Sequence, residues 1–269
     1  MLNVVIGQYI PQKSLLHRAD PRTKIISLFL LFFLLFFLNN LPAYLILSLF
    51  SFTVIKLSKI PGRVVLQSLK PILWFILFTF IFNIFLTKGE VLFSFGPFEV
   101  SREGISRGII YSWRLFLFIL FSGLLTWTTS PLDIAAGLET LFSPAKKLKL
   151  PVHETVMMLT IALRFIPTLL EETEKIMKAQ MARGMDFTEG SLFNRVKNIL
   201  PLLVPLFVSV FQRADDLAVA MEARCYRGDK GRTRMKQLIF QELDLFVILA
   251  VVLVAFLTWF SNSLFNWSI

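Results

Sequence analysis

Two short segments of the chain repeat one pattern of residue types, and they are the strongest candidates for chemistry. The first is QMARGMD at residues 180–186, and the second is MEARCYRG at 221–228. Each places an arginine, Arg183 or Arg224, between small residues after a helix-like stretch. A guanidinium group is a planar fork of donors that can bind a carboxylate through two hydrogen bonds. The repeated pattern is therefore suited to holding two acidic groups.

A simpler role for each arginine is to end its helix. Gly184 follows Arg183 directly and Gly228 follows Arg224 within four residues, and glycine is a common helix stop. A cation at that position complements the helix dipole and contributes about 0.3 to 1 kcal/mol. A binding role is favoured by the small neighbours, which let a helix end approach another surface closely; they are Ala182, Gly184, Ala223 and Cys225. Either role fits one arginine alone, and the repeat favours binding.

Other reactive residue types are too sparse to suggest an enzyme or a metal site. Cys225 is the single cysteine, and the two histidines, His17 and His153, lie far apart, so neither a disulfide framework nor a zinc site is expected. The sequence has no G-x-x-x-x-G-K-[ST] loop to bind phosphates. The acids of HE at 153–154 and EETE at 171–174 fit exposed helix faces. We predict no catalytic residue, no cofactor and no bound metal.

The composition places the chain in a lipid bilayer. Its mean hydropathy is +0.68, 29 of its 269 residues are phenylalanine, and only 17% are charged. A water-soluble globule of this size is less apolar. Five apolar stretches are candidate spans: 25–38, 43–55, 72–86, 108–127 and 245–260. The first two are shorter than the roughly 20 residues that a bilayer requires, so they form either one long helix or a hairpin that turns at NNLP.

Basic residues select the hairpin and predict the topology. Four bases precede the first stretch and four lie at 56–70, between the second and third stretches. Short loops rich in Lys and Arg stay in the cytoplasm, and only a hairpin puts both clusters on that side. The N-terminus and residues 131–242 are then cytoplasmic, and the C-terminus lies outside. The polar and basic first 24 residues predict no removable signal peptide.

The predicted fold is all-α, with three regions. Residues 1–130 form a membrane domain of four spans, 131–242 a cytoplasmic domain, and 243–269 the last transmembrane helix. Two long helices are expected in the cytoplasmic domain, at 152–183 and 192–224, with bends at their prolines. Most of the net charge of +10 lies in the two basic clusters at the inner membrane edge. This position favours anionic lipid as a partner and disfavours nucleic acid.

Two further features leave alternatives open. In the second long helix, an apolar stripe recurs at steps of three and four: Phe211, Ala214, Ala218, Met221 and Cys225. It packs either into a partner's groove or on the first long helix. Within the fourth span, Arg114 either extends outward to the interface, pairs inside the bundle or contacts a substrate.

The order of these elements resembles the transmembrane (T) component of energy-coupling factor transporters. The matching pieces are HRADPRTK (17–24), TTSP (128–131), LRFIPTLLEE (163–172), QMARG (180–184) and MEARCY (221–226). Together they cover most of the chain in order. The family's two X-Arg-X motifs correspond to Ala182-Arg183-Gly184 and Ala223-Arg224-Cys225, with Cys225 where the family more often has glycine or another small residue.

The resemblance implies a non-catalytic scaffold in an ATP-driven importer of vitamins or transition-metal ions in a prokaryotic plasma membrane. The two motifs would end long cytoplasmic coupling helices and dock in grooves of two ABC ATPases. A separate substrate-binding (S) membrane subunit would reorient when those ATPases close.

Two other classes of function are alternatives. A stand-alone secondary transporter would carry an ionisable site near the membrane midplane and an internal repeat, whereas these spans contain almost no acids and the two halves are unlike. An intramembrane enzyme would need a catalytic constellation, for which the acids at 153–154 and 171–174 are the candidates.

Overall fold

The computed structural model of the chain describes residues 9–38, 40–95, 98–148, 151–185, 192–228 and 238–264, and most of them are helical. The helices are α1 Leu15–Arg18, α2 Pro21–Phe37, α3 Leu41–Ser58, α4 Gly62–Leu86, α5 Arg102–Thr128, α6 Pro131–Leu141, α7 Val152–Ala182, α8 Leu192–Ala223 and α9 Glu242–Leu264. A short 3₁₀ helix, Ser143–Leu148, follows α6, and the strands β1 Val91–Phe95 and β2 Phe98–Ser101 lie between α4 and α5.

Five of these helices are long and apolar enough to cross a membrane, which confirms the prediction of an all-α polytopic membrane protein. They are α3, α4, α5, α7 and α9. This set differs by one member from the predicted spans. The first predicted span corresponds to α2, whose 17 residues fall just below the length required, whereas α7 lies in the region predicted to be cytoplasmic. The location of α7 remains a prediction, because length and composition alone do not fix it.

The first two apolar stretches form a hairpin, as the basic clusters predicted. Helix α2 ends at Phe37, and α3 begins at Leu41 with a proline in its first turn. Helix α1, which precedes α2, packs against α3. Lys24 at the start of α2 lines the same cavity as Thr53 and Leu57 near the end of α3. The chain therefore returns along α3 to the level at which α2 began.

Arg114 of α5 holds the turn of this hairpin. Its Nη2 donates to the carbonyl of Leu38 at 2.7 Å, and its Nε donates to the Tyr44 hydroxyl at 2.9 Å. That hydroxyl also donates to the Leu38 carbonyl at 2.9 Å. The last carbonyls of a helix have no partner within the helix, so Arg114 and Tyr44 satisfy one of them where α2 stops. Of the three roles that the sequence left open for Arg114, pairing inside the bundle is the one observed.

The core of the membrane bundle lies around α5. Leu117 and Trp127 of α5 are almost fully buried, together with Leu35 of α2 and Leu47 of α3. Helix α5 packs against α2, α3 and α4, and α9 packs against α2 and α3. Gly108 permits the close contact with α4, because a Cβ at that position would lie 3.2 Å from the Phe80 carbonyl oxygen. Among the described residues, the buried apolar side chains of these helices form one cluster.

A small β-hairpin, which was not among the predicted elements, joins α4 to α5. Strands β1 and β2 are antiparallel, with Phe95 opposite Phe98. Ser101 ends the hairpin and caps α5, since its Oγ accepts from the Gly104 amide at 3.0 Å. The same hydroxyl donates to the Thr87 carbonyl at the end of α4. The hairpin is thus a local addition to a fold that is otherwise helical in the described residues.

The chain divides into two compact units. The first comprises residues 1–141 and 237–269, and so contains α1 to α6 and α9. The second comprises residues 142–236 and contains the 3₁₀ helix, α7 and α8, with α7 and α8 packed against each other. Helix α6 groups with the first unit, although the predicted cytoplasmic domain begins at residue 131. Which side of the membrane each region faces stays a prediction.

Candidate docking site at two helix ends

Helix α7 ends in a left-handed turn immediately after its arginine. Ala182 is the last helical residue, Arg183 is the C-cap, and Gly184 has φ of +85°. The Gly184 amide donates to the Met181 carbonyl at 3.0 Å, and the Met185 amide donates to the Gln180 carbonyl at 3.1 Å. These two bonds define a Schellman motif, in which glycine is favoured because it adopts positive φ without strain.

Helix α8 ends in the same way. Ala223 is its last residue, and Arg224 occupies the capping position. The Cys225 amide donates to the Glu222 carbonyl at 2.8 Å, and the Tyr226 amide donates to the Met221 carbonyl at 3.0 Å. Cys225 has φ of +53°. Arg183 and Arg224 are thus equivalent residues of two equivalent helix ends.

One detail of the predicted helix ends was wrong. Gly228 was expected to stop the second helix, but the left-handed residue that ends α8 is Cys225, and Gly228, with φ of +74°, comes three residues later. A residue with a Cβ pays about 1 to 2 kcal/mol in that conformation. The third position of each motif therefore has a backbone reason to be glycine, besides its small size.

We expect Cys225→Gly to stabilise the end of α8 by about 1 kcal/mol, because glycine has no Cβ to clash in the left-handed conformation. Hydrogen exchange of the amides of residues 225 and 226 should slow about fivefold, because about 1.4 kcal/mol corresponds to a tenfold change in an equilibrium constant. Cys225→Val should accelerate exchange at both amides. Equal exchange in the glycine and valine variants would contradict the assigned turn.

Both arginine side chains are exposed, as are Ala182, Gly184, Ala223 and Cys225. Within the described residues, neither Arg183 nor Arg224 has a side-chain hydrogen bond or ion pair. The structure thus brings together each arginine and its small neighbours at one helix end. It leaves both guanidinium groups open to a partner.

Most of the apolar stripe of α8 is exposed, although Met221 is partly buried. Phe211, Ala214 and Ala218 are exposed, whereas Leu202 is buried and Leu217 is partly buried on other faces of the helix. Within the described residues, Phe211, Ala214 and Ala218 are therefore not covered by α7, which was one of the two alternatives for this stripe.

Helices α7 and α8 are linked by a polar contact that the sequence analysis missed. Arg213 Nη2 donates to Glu172 Oε2 at 2.8 Å, and Ser209 Oγ donates to Glu172 Oε1 at 2.5 Å. Glu172 belongs to the EETE segment, whose acids were expected on exposed helix faces; its side chain is only 23% exposed. The expectation was wrong for this residue, because helical periodicity gives no sign of a partner on another helix.

A second polar cluster organises the first unit around Asp20. Asp20 caps α2, since its Oδ1 accepts from the Arg22 amide at 2.9 Å. The Asp20 amide in turn donates to Asp244 Oδ1 at 2.7 Å, and the Gln241 amide donates to Asp244 Oδ2 at 2.8 Å. Arg22 Nη2 donates to the Leu238 carbonyl at 3.3 Å. Asp244 is fully buried, and no local signal marked it in the sequence.

Lys24 extends this cluster to the end of α5. Its Nζ donates to the Thr128 carbonyl at 3.1 Å and to Thr129 Oγ1 at 3.2 Å. Beside it, Gly137 of α6 lies so close to α2 that a Cβ would be 3.1 Å from the Pro21 Cβ. The start of α2 therefore contacts both α6 and α9.

His17 is a structural residue of the N-terminal segment. Its Nε2 donates to the Ile10 carbonyl at 2.9 Å, and its Nδ1 accepts from the Ser14 hydroxyl at 2.7 Å. Burial lowers the pKa of His17 below its usual value of 6.5, which favours the neutral ring. Both ring nitrogens are in use. In the described ranges, no group of three His, Cys, Asp or Glu residues could hold a metal ion.

These features define a multi-pass helical membrane protein in which two long helices present matching arginine ends. The CbiQ family, described as cobalt transport proteins, matches residues 12–235 of the chain, a range that includes both arginine motifs. The chain therefore belongs to the CbiQ/EcfT family, the transmembrane components of energy-coupling factor transporters.

Its curated relatives are similar over almost their whole length. The energy-coupling factor transporter transmembrane protein EcfT of Bacillus subtilis is 51% identical over 264 residues, which cover 98% of this chain and 100% of that protein. EcfT of Ruminiclostridium cellulolyticum is 51% identical over 257 residues, or 96% of each chain. EcfT of Brevibacillus brevis is 50% identical over 259 residues, covering 96% of this chain and 98% of that one.

Proposed function

We propose that this chain is the coupling subunit of an ATP-driven importer, which transmits motion from two ABC ATPases to a substrate-binding membrane subunit. The observation that carries the proposal is the pair of equivalent helix ends, in which Arg183 and Arg224 are exposed C-caps followed by a left-handed residue. Two ATPase subunits offer two similar grooves, and one chain can fill both only if it presents the same structure twice.

The chemistry of these ends suits a groove lined by carboxylates. Each guanidinium can donate two parallel hydrogen bonds to one carboxylate, and the exposed alanine before it adds little bulk. When ATP binding closes the ATPases, their grooves move, and the helix ends that fill them move as well. In this proposal α7 and α8 carry that displacement to the substrate-binding subunit.

The exposed apolar face of α8 is a suitable surface for that subunit. Five apolar residues lie at helical spacings of one face, and each is more than half exposed: Leu200, Val204, Phe207, Val208 and Phe211. Exposed apolar patches of this kind mark contacts with another protein or with lipid. We propose that the substrate-binding subunit covers this face and that it selects a vitamin or a transition-metal ion as cargo.

The proposed role is not catalytic, and ATP is bound by the partner ATPases. This view is supported by the absence of a phosphate-binding loop from the sequence and by the names of the relatives, which are transmembrane proteins of a transporter.

Purification of a tagged chain tests the function directly. We expect the chain from its native membrane to bring with it two ATPases and a second membrane protein, and this complex in liposomes to import substrate when ATP is supplied. The chain alone should neither hydrolyse ATP nor transport a substrate. Uptake by the lone chain would support a secondary transporter instead, and chemical turnover by the lone chain would support an enzyme.

We further propose the orientation in the plasma membrane that the basic clusters predict, with the N-terminus and the region 131–242 in the cytoplasm and the C-terminus outside. Single cysteines at exposed positions in a chain that lacks Cys225 test it. Leu41→Cys and Ser263→Cys should react with an impermeant maleimide added outside, and Lys59→Cys and Lys178→Cys should react only after the membrane is opened. Outside labelling at residue 178 would overturn the orientation.

A further inference from the structure

The contact between α7 and α8 stands at the same distance from both arginine ends. Glu172 precedes Arg183 by eleven residues, and Arg213 precedes Arg224 by eleven residues. The pair Glu172 and Arg213 is the ion pair that joins the two helices. At a rise of about 1.5 Å per residue, each arginine lies about 16 Å along its helix from the joining residue.

The two stretches beyond the ion pair are also alike in the position of their arginine around the helix and in their lack of helix-breaking residues. Eleven residues are about three turns, so each arginine lies on nearly the same side of its helix as the joining residue. Neither 173–183 nor 214–224 contains proline or glycine, whereas the prolines of both helices, at 167, 201 and 205, precede the joining residues. We call these two stretches the arms. Because proline bends helices, we expect bends only on the side of the joint that precedes Glu172 and Arg213, and straight helix in the arms.

We propose that Glu172, Ser209 and Arg213 form a joint that keeps the two arms equal in length and in facing, so that both ATPases act on the substrate-binding subunit through equal levers. The inference rests on the proposed function. If α7 slid past α8 by one turn, one arm would become about 5 Å longer than the other at the joint. The bidentate use of the Glu172 carboxylate, by Arg213 on one oxygen and Ser209 on the other, selects one register of the helices.

The exposure of the joint separates this positioning role from a role in stability. The side chains of Arg213 and Glu172 are 40% and 23% exposed, and ion pairs that reach solvent contribute little to folding. Loss of the pair should therefore leave the chain folded and both arginine ends intact, while the spacing between the arms becomes variable.

The first experiment measures this spacing. Lys178 and Val219 are exposed and each lies six residues beyond its joining residue, so Lys178→Cys and Val219→Cys in a Cys225→Gly chain carry matched spin labels. Double electron–electron resonance should give one narrow distribution of the distance between the two spin labels. Glu172→Arg places two arginines opposite each other and should broaden the distance distribution at least twofold. The charge swap, Glu172→Arg with Arg213→Glu, should narrow the distribution again. An unchanged distribution in the single variant would overturn the joint.

The second experiment measures coupling in the complete complex in liposomes. Glu172→Arg should still recover the ATPases but should lower substrate imported per ATP hydrolysed at least fivefold, and the swap should restore it to within twofold of the original. Glu174→Arg is the matched control, because it makes the same charge change at a pair within α7, Glu174 with Lys178, and should leave coupling unchanged. Normal coupling in Glu172→Arg would refute the joint. Failure of the unaltered chain to recover ATPases would instead refute the proposed function, and the distance measurement on the chain alone would still test the joint.

Discussion

Replacing Arg183 and Arg224 together by glutamate releases both ATPases from the chain and abolishes uptake, if the two helix ends fill grooves lined by acids. Removing one partner of a buried charge pair costs about 2 to 5 kcal/mol, and glutamate adds repulsion to that loss. Because about 1.4 kcal/mol changes an affinity tenfold, each substitution should weaken its own contact about 30-fold or more. The measurement is recovery of the ATPases with the tagged double variant, together with uptake in liposomes.

The matched control changes the same charge elsewhere on an exposed face. Lys175→Glu with Lys178→Glu reverses two cations on α7 before its final turn, and it should leave the ATPases bound. Arginine caps that only complement the helix dipole would contribute about 1 kcal/mol or less, with assembly unaffected. Normal ATPase recovery and normal uptake in the double arginine variant would mean that the two residues are helix caps alone.

Close approach can be tested apart from charge. Ala182→Leu and Ala223→Leu enlarge exposed positions in the last turn of each helix and leave both arginines in place. Gly184 is unsuitable for this purpose, because any side chain there is strained at φ of +85°. Each leucine variant should impair uptake, because the added bulk prevents close approach to the groove.

Arg183→Lys should give uptake between that of the original chain and that of Arg183→Glu, because lysine keeps the charge but cannot form two parallel hydrogen bonds.

Asp244→Ala should destabilise the first unit by roughly 2 to 5 kcal/mol. Asp244 is fully buried and accepts from the buried amide of Asp20 and the partly buried amide of Gln241, and an amide left without its acceptor costs about 1 to 3 kcal/mol, with the larger cost where it is buried. Asp244→Asn should lose about half as much, since an amide side chain keeps one acceptor oxygen. Thermal unfolding in detergent, followed by tryptophan fluorescence, gives the comparison.

Glu242→Ala is the control for this substitution. Glu242 is an exposed acid in the same first turn of α9, so its removal takes away the same favourable charge near the helix N-terminus. We expect it to change the free energy of unfolding by less than about 1 kcal/mol. If the two alanine variants unfold at the same temperature, Asp244 acts through the helix dipole, and its two amide contacts do not stabilise the bundle.

Local signals in the sequence were sufficient for the helix ends but not for their partners. Gly184 marked the place where α7 stops, whereas the stop of α8 at Cys225 was not predicted, because cysteine has no preference for positive φ. The β-hairpin had a local signal, since VLFSF and FEVS flank a Gly-Pro pair, but the two strands are short and lie between long apolar helices.

Contacts between distant residues could not be predicted in this way. Periodicity places Arg114 within a span but does not show that a carbonyl lies opposite it at the end of α2. The same is true of Glu172 and Arg213, which stand on different helices. Such pairs depend on the tertiary arrangement, which a single sequence records only through the types of residue it places in each helix.

The bond between Asp20 and Asp244 also bears on the order in which the protein is made. It joins residues 224 positions apart, so α2 is synthesised long before the residue that accepts from the Asp20 amide. At about 5 to 20 residues per second, the ribosome needs roughly 10 to 45 s to cover that distance. During this interval the Asp20 amide lacks its final acceptor, and closure of the bundle awaits insertion of the last helix. A chain truncated before α9 would therefore leave the Asp20 amide, at the start of α2, without this acceptor.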